Sequence, residues 1–207
     1  MPTAVIVAGG RSTRFGDRDK IVADLAGTPM IRRVADRLAG VCDRVVINCR
    51  ADQRAAVATA LDGLAVPVSF ALDPDPDHGP VAGIRTGLRA VETEYAVVVA
   101  GDMPFVDPGF VGYLFDRAAG HDAAVPRPGE WYQPMQAVYR AETMADACDA
   151  ALAASEEGEP RILAPVFEID YAVVSAEEIA DRATDDTFEN LNTVEELRAA
   201  AARLAKE

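Results

Sequence analysis

The chain has 207 residues, of which 50% are hydrophobic, and this size and composition fit one α/β domain that buries a core of its own. No apolar run approaches the ~20 residues that a helix needs to span a bilayer. The first residues lead directly into an apolar strand pattern without the regions of a signal peptide, so we expect a cytoplasmic protein that does not bind membranes. The formal net charge of −14 argues against a nucleic-acid partner, which would require a basic face.

The charged residues are unevenly distributed between types. Asp and Glu number 34, whereas the only lysines are Lys20 and Lys206. Abundant carboxylates with so little lysine are typical of a protein surface adapted to high salt, where repulsion is screened. The three cysteines, Cys42, Cys49 and Cys148, are odd in number and scattered, which predicts buried small hydrophobes rather than a disulfide framework or a zinc site.

Apolar runs and helical periodicity alternate along the chain. Strands are predicted at 4–7, 44–48, 66–71, 95–100, 122–126, 133–139 and 166–174. Helices are predicted from Pro29 onward, at 51–61, from Pro80 onward, at 108–119 and at 141–154, with a helical turn at 161–164 and a helix-forming tail from Arg198. This alternation predicts a parallel sheet with right-handed crossovers, in which ligands bind at the carboxyl ends of the strands.

The end of the first predicted strand carries a glycine loop. Val7 is followed by Ala8, Gly9 and Gly10, and two adjacent glycines let the backbone turn sharply and approach a ligand. Successive N–H groups in such a loop can point at phosphate oxygens. Three cations follow in the same loop, namely Arg11, Arg14 and, after Gly16, Lys20. This combination suits a triphosphate, although the spacing differs from the Rossmann and P-loop fingerprints.

Polar residues also follow the other predicted strands. Asn48 ends the second strand and Asp73 follows the third, whereas Asp75 and Asp77 fit a solvated turn and His78 has no assigned role. Asp102 follows the most apolar strand, and a carboxylate there is a suitable hard-oxygen ligand for Mg²⁺, with a purely structural aspartate as the alternative. We expect Asp102 to lie across the sheet from the glycine loop.

The last candidate motif precedes the C-terminal helix. Thr193 is a favourable helix N-cap, and Glu196 three residues later completes a capping box. Asn190 and Asn192 project to one side if the segment is extended. They fit either recognition of a polar ligand or turn and cap geometry alone, and their spacing leaves both interpretations open.

Four segments resemble, in the same order, the molybdenum cofactor guanylyltransferases, which are nucleotidyltransferases with a glycosyltransferase-A-like fold. They are the glycine loop with Lys20, the loop at 73–83, the Gly-Asp-Met-Pro-Phe run at 101–105, and the Phe-x-Asn-x-Asn-Thr run at 188–193. The resemblance implies an α/β, three-layer Rossmann-like fold with a mostly parallel mixed sheet. It also implies a single domain over 1–207, with a nucleotide-binding half at 1–120 and a cofactor-substrate half at 121–207.

The same resemblance implies a reaction in which GMP passes from GTP to molybdenum-bound molybdopterin, giving the guanine dinucleotide and pyrophosphate. The matching GTP-binding positions are Val7, Ala8, Gly9, Gly10, Lys20, Asn48, Asp73 and Asp102. Arg14, Lys20 and Asp102 would be catalytic, Asp102 would bind Mg²⁺, and Asn190 and Asn192 would bind molybdopterin. Molybdoenzyme apo-proteins or other cofactor-biosynthesis proteins are candidate partners.

Three positions depart from the family's usual residues: Val7 replaces Leu, Phe15 replaces Met, and Val194 replaces Pro. Other functions also fit the glycine loop. Cytidylyl-molybdopterin, cobinamide-phosphate and sugar-phosphate nucleotidyltransferases share it, and a non-catalytic GTP-binding module that delivers cofactor is the alternative outside enzymes. Since the attacking phosphate is already anionic, the reaction needs no catalytic base, which agrees with the lack of an evident Ser–His or Cys–His pair.

Overall fold

A computed structural model describes residues 2–10, 19–74, 79–155 and 159–205. Its strands are β1 (Thr3–Val7), β2 (Asp24–Leu25), β3 (Thr28–Pro29), β4 (Arg44–Cys49), β5 (Val68–Leu72), β6 (Tyr95–Ala100), β7 (Ala123–Pro126), β8 (Gln136–Arg140) and β9 (Tyr171–Val174). Its α-helices are α1 (Met30–Leu38), α2 (Arg54–Ala60), α3 (Gly79–Arg89), α4 (Pro108–Ala118), α5 (Ala141–Ala154), α6 (Ala176–Ala180) and α7 (Val194–Leu204). Lys20–Val22 and Pro165–Glu168 form short 3₁₀ helices.

The main sheet has the strand order β5-β4-β1-β6-β8-β7-β9. Strand β1 is paired in parallel with β4 on one side and β6 on the other, so its carboxyl end lies between theirs. Strand β8 runs antiparallel to β6 and to β7, whereas β7 and β9 are parallel. The sheet is therefore mostly parallel and mixed, and the predicted fold class is confirmed.

Helices cover both faces of this sheet. Ile6 is fully buried in the core that includes residues of α1, α2 and α4, whereas its neighbour Val5 is fully buried in the core formed with α3 and α5. Successive side chains of a strand point to opposite faces, so a strand covered on both sides must be apolar throughout. This requirement explains the continuous apolar runs from which the strands were predictable.

A smaller core joins the C-terminal helix to the hairpin of β2 and β3. Leu191 and Ala200 pack there with Leu25, Met30 and Phe105, all nearly or fully buried. Phe105 belongs to the loop that follows β6, so the C-terminal segment is held close to that loop. None of the helices in the described ranges combines the length and the apolar character needed to cross a membrane.

The prediction of one strand at 166–174 is wrong in its first half. Pro165–Glu168 is a 3₁₀ helix, and the strand is confined to Tyr171–Val174. The fixed φ of Pro165 suits the first turn of a helix, and its missing N–H cannot contribute to a sheet. The helical turn predicted at 161–164 is a turn at 162–164 that leads into this 3₁₀ helix.

The starts of two further elements lie three residues later than predicted, and the strand predicted at 66–71 is Val68–Leu72. The helix predicted at 51–61 begins at Arg54, because Arg50 and Gln53 close a turn through a backbone bond of 3.1 Å and a bond of 3.0 Å from the Arg50 N–H to the Gln53 side chain. The strand predicted at 133–139 begins at Gln136, after Pro134, which has no N–H to donate.

The expected position of Asp102 across the sheet from the glycine loop is also wrong. Strands β1 and β6 are direct neighbours, and the Gly101 N–H donates to the Val7 carbonyl at 2.9 Å. Asp102 therefore lies beside the start of the glycine loop. The order of strands in a sheet depends on the crossovers, and the apolar runs that predict the strands carry no information about it.

Candidate active site

The carboxyl ends of β1, β4 and β6 open into a cleft of about 420 Å³. Every residue predicted to bind GTP lines this cleft: Val7, Ala8, Gly9, Gly10, Lys20, Asn48, Asp73 and Asp102. The first turns of α3 form another wall through Gly79, Pro80, Ala82 and Gly83. Arg11, Arg14, Gly16, Asp75, Asp77 and His78 lie outside the described residues.

The glycine loop begins with its backbone tied to both neighbouring strands. The Ala8 N–H donates to the carbonyl of Asn48 at 2.8 Å, and the carbonyl of Val7 accepts from Gly101 at 2.9 Å. Gly9 allows the loop to lie close to Asp73, because a Cβ there would lie 2.5 Å from Asp73 Oδ2 and the carboxylate would have to move. The loop therefore continues directly from the carboxyl edge of the sheet. It lies against the carboxylate of Asp73, which the sequence analysis also predicted to be part of the site.

Two residues that the sequence analysis did not select bind the carbonyl oxygens of this loop. Arg50 Nη1 donates to Gly9 O at 2.8 Å and to Gly10 O at 2.9 Å, and Gln53 Nε2 donates to Ala8 O at 3.1 Å. Gln53 is only 3% exposed. Both residues lie in the turn after β4, the neighbour of β1. Arg50, a cation at the end of that strand, is the feature of the sequence that could have indicated a role in the site.

Asn48 lines the cleft at the carboxyl end of β4. It is fully buried, and its Nδ2 donates to Ala71 O at 3.2 Å and to Asp73 Oδ1 at 2.6 Å. Its Oδ1 has no hydrogen-bond partner among the described residues, and a Cβ on Gly83 would lie 2.7 Å from it. Asn48 thus orients the Asp73 carboxylate and leaves one buried acceptor at the wall that α3 forms.

Lys20 and Asp102 line the cleft, and together with Asn192 they form a polar cluster. Lys20 Nζ lies 2.6 Å from Asp102 Oδ2 and 3.0 Å from Asn192 Oδ1. The side chains of Lys20 and Asp102 are 17% and 14% exposed, so the pair is only partly screened by solvent. Lys20 starts the 3₁₀ helix that Asp19 caps by accepting from Ile21 N at 3.2 Å.

The predicted capping box of α7 is confirmed, and it also holds Asn192. Thr193 Oγ1 accepts from the Glu196 N–H, while Glu196 Oε2 accepts from the backbone N–H groups of Asn192 at 2.6 Å and Thr193 at 2.9 Å. These bonds, the one from Asn192 first, lower the pKa of Glu196. The two asparagines differ: Asn190 is exposed and donates to Phe188 O at 3.4 Å, away from the Lys20 cluster.

The donor set at Asp102 fits a magnesium ion that arrives with a nucleotide. The described residues contain no group of three or more His, Cys, Asp or Glu arranged to hold a metal by themselves. Mg²⁺ commonly takes one or two carboxylates, substrate phosphates and water, so a single aspartate beside a phosphate site suffices. The amide oxygen of Asn192 adds a second hard oxygen near the same ammonium.

Glu159 is another residue of the cleft that the sequence analysis missed. Its carboxylate packs against Gly79, whose φ is +72° and where an added Cβ would collide with Glu159 Oε2. The positive φ therefore favours a glycine there, and a Cβ would also displace the Glu159 side chain. The cysteines, in contrast, are free and buried as predicted, and burial raises the pKa of the Cys49 thiol to about 11.

Comparison with known proteins adds independent findings. Residues 4–172 match the model of a family described as "MobA-like NTP transferase domain". A Natronomonas pharaonis protein named "probable molybdenum cofactor guanylyltransferase" is 52% identical over 203 residues, covering 98% of each chain. A Haloferax mediterranei protein of the same name is 41% identical, covering 96% of this chain and 92% of the relative.

A solved structure shows the same fold over the full length. It is the molybdopterin-guanine dinucleotide biosynthesis protein A of Archaeoglobus fulgidus, which is 27% identical. The superposition covers 100% of both chains with a TM-score of 0.79. The overall fold described above is therefore one already observed in a crystal structure.

Proposed function

The chain belongs to the family of MobA-like NTP transferase domains and is a nucleotidyltransferase, and from this premise we propose that it transfers GMP from GTP to molybdenum-bound molybdopterin. The products are the molybdopterin guanine dinucleotide and pyrophosphate. The observation that carries the proposal is the position of Lys20 and Asp102 beside the glycine loop in one cleft. A triphosphate needs such a combination of fixed N–H groups, a cation and a metal-binding carboxylate.

The glycine loop binds the phosphates of GTP in this proposal. Its carbonyl oxygens are already engaged by Arg50 and Gln53, so its orientation is set before any ligand arrives. Val7, Ala8, Gly9 and Gly10 form the wall along which the nucleotide lies, and Asn48 and Asp73 provide acceptors for its sugar and base. A preorganised loop loses less conformational entropy when the ligand binds, which favours affinity.

Lys20 neutralises charge on the triphosphate and on the pyrophosphate that leaves. The terminal phosphate of the pterin attacks the α-phosphorus of GTP in line, the new P–O bond forms, and the bond to pyrophosphate breaks. Mg²⁺ held by Asp102 and by phosphate oxygens would supply further charge neutralisation. Arg14, outside the described residues, is proposed as a second cation for the same phosphates.

Asn190 and Asn192 are proposed to contact the pterin. The halves of the chain, 1–120 for the nucleotide and 121–207 for the cofactor substrate, remain part of this proposal. Both halves contribute to the cluster at Lys20, because Lys20 is bonded to Asn192, 172 positions away in sequence. The two substrates would therefore bind on either side of a cluster to which both halves contribute.

The decisive experiment supplies the protein with each nucleoside triphosphate in turn, with Mg²⁺ and molybdenum-loaded molybdopterin, and measures pyrophosphate and the dinucleotide. We expect both products with GTP, and neither when the pterin is omitted. Product with CTP instead would show a cytidylyltransferase. Binding of GTP without pyrophosphate release under any condition would show a non-catalytic delivery module, and the proposed reaction would then be wrong.

A further inference from the structure

The cluster at Lys20 joins two parts of the chain that the sequence analysis treated as separate. Lys20 belongs to the segment that follows the glycine loop, and Asn192 belongs to the segment before α7. The 3.0 Å bond between Lys20 Nζ and Asn192 Oδ1 brings them together at a lysine that lines the cleft. Asn192 also lies beyond residue 172, where the match to the family model ends.

The backbone of Asn192 is held firmly from both sides. On one side, Leu191 is fully buried, and its N–H donates to the carbonyl of Asp102 at 2.9 Å. On the other side, Glu196 Oε2 accepts from the Asn192 N–H at 2.6 Å as part of the cap of α7. The backbone that positions the Asn192 amide is therefore hydrogen-bonded both to Asp102 and to the cap of α7.

We propose that Asn192 is a positioning residue for Lys20: its amide oxygen holds the ammonium beside Asp102 in the cleft that is proposed to bind GTP. The inference rests on the proposed function because it takes GTP as the ligand that Lys20 meets. It deepens that function by giving the C-terminal motif a role toward the nucleotide. Contact with the pterin through the rest of the Asn192 side chain is compatible with this role.

The chemistry of lysine explains why such a support is useful. The ammonium stands on a flexible four-carbon stem and can donate in three directions. The bonds to Asp102 and Asn192 restrict where this charge lies when a phosphate arrives. A neutral amide achieves this without adding negative charge to a site that must accept a triphosphate.

Asn190 provides the matched comparison within the same motif. It is the same residue type two positions earlier, but it is exposed and its amide donates to Phe188 O rather than to the cluster. If the motif contacted only the pterin, replacement of either Asn190 or Asn192 would leave GTP binding unaffected. If Asn192 positions Lys20, only its replacement weakens GTP binding.

The experiment measures the dissociation constant for GTP by calorimetry in the parent and four variants: Asn192→Ala, Asn190→Ala, Lys20→Met, and Lys20→Met with Asn192→Ala. A hydrogen bond to a charged group shifts an equilibrium constant by about tenfold, so we expect Asn192→Ala to weaken GTP binding by about that factor. We expect Asn190→Ala to bind GTP like the parent. In the Lys20→Met background, Asn192→Ala should add no further loss, because the residue acts through Lys20.

Melting temperatures show whether each variant is folded. If Asn192→Ala is unstable, Asn192→Leu keeps the approximate shape of the side chain and removes both its acceptor and its donor. Parent-like GTP binding by the folded variant would overturn the inference, and so would an equal loss with and without Lys20. If the parent itself fails to bind GTP, the proposed function is wrong and the inference falls with it, an outcome distinct from the other two.

Discussion

Lys20 and Asp102 are 82 positions apart in sequence, yet the ammonium nitrogen of Lys20 lies 2.6 Å from a carboxylate oxygen of Asp102. Both side chains are mostly buried where they line the cleft. Removal of one partner from a partly desolvated pair leaves the other charge without its neutralising neighbour, which costs more than the pair contributed. Replacement of either residue is therefore expected to disturb the contribution of the other residue to ligand binding.

The first prediction concerns Asp102→Asn. We expect the variant to remain folded, since the volume is unchanged, and to lose turnover by at least about tenfold, because a carboxylate with a charge-assisted role is lost. Pyrophosphate release with GTP and molybdopterin measures the effect, and circular dichroism checks the fold. Turnover within a factor of two of the parent would contradict the assigned role of Asp102.

The second prediction concerns Arg50, which the structure rather than the sequence identified. Its Nη1 is bonded to the carbonyls of both Gly9 and Gly10, so Arg50→Ala frees the loop that is proposed to bind phosphates. We expect the dissociation constant for GTP to rise by about tenfold, the scale of one charge-assisted hydrogen bond. Calorimetric titration with GTP measures this change.

Arg54→Ala is the matched control for Arg50. It removes an arginine of α2 that is exposed and whose guanidinium lies 5.3 Å from the centre of the Phe70 ring, without contact to the glycine loop in the described residues. Its GTP binding should match that of the parent. Equal losses in the two variants would indicate a general effect of charge rather than positioning of the loop.

The third prediction concerns the net charge of −14. If the acidic surface is adapted to salt, the melting temperature should rise from low to molar KCl, because screening shortens the range of repulsion from about 30 Å at 0.01 M to about 3 Å at 1 M. A variant in which the exposed Glu130, Glu168 and Asp185 become amides should show a weaker dependence on KCl. A melting temperature of the parent that does not change with KCl would show that repulsion between surface carboxylates does not limit its stability.

The fourth prediction concerns acid stability and Glu178, which caps α6. Its carboxylate accepts from Ser175 N at 2.8 Å and from Tyr113 Oη at 2.7 Å, and these bonds, the one from Ser175 first, lower its pKa from 4.5 to about 2. A lowered pKa stabilises the folded state above the unfolded pKa. That contribution is lost as pH falls from 4.5 through about 2.

Glu178→Gln isolates this contribution from the other carboxylates of an acidic protein. The parent should melt at a higher temperature than the variant near neutral pH, and the difference should shrink as pH falls through that window. Melting curves for both proteins at a series of pH values measure it. A difference that stays constant down to the lowest pH would show that the ionised form of Glu178 is not the stabilising species.

Local sequence signals predicted the elements whose structure depends mainly on their own residues. The strand Tyr95–Ala100 matches its prediction because a strand covered on both faces must be apolar throughout. The capping box of Thr193 and Glu196 formed because its donors and acceptors lie within one turn of chain. Residues 166–174 are the counterexample, since their apolar composition suits a strand, a helix or a 3₁₀ turn, and Pro165 and packing select among them.

The sequence alone determined that a glycine pair, a lysine and an aspartate follow apolar strands, since each of these features is local. Only the tertiary structure decided that β1 and β6 are neighbours, that Arg50 reaches the glycine loop, and that Asn192 reaches Lys20. Such contacts depend on the order of the strands and on the path of the C-terminal segment through a separate small core. Packing of the whole chain sets both, and no short stretch of residues encodes them.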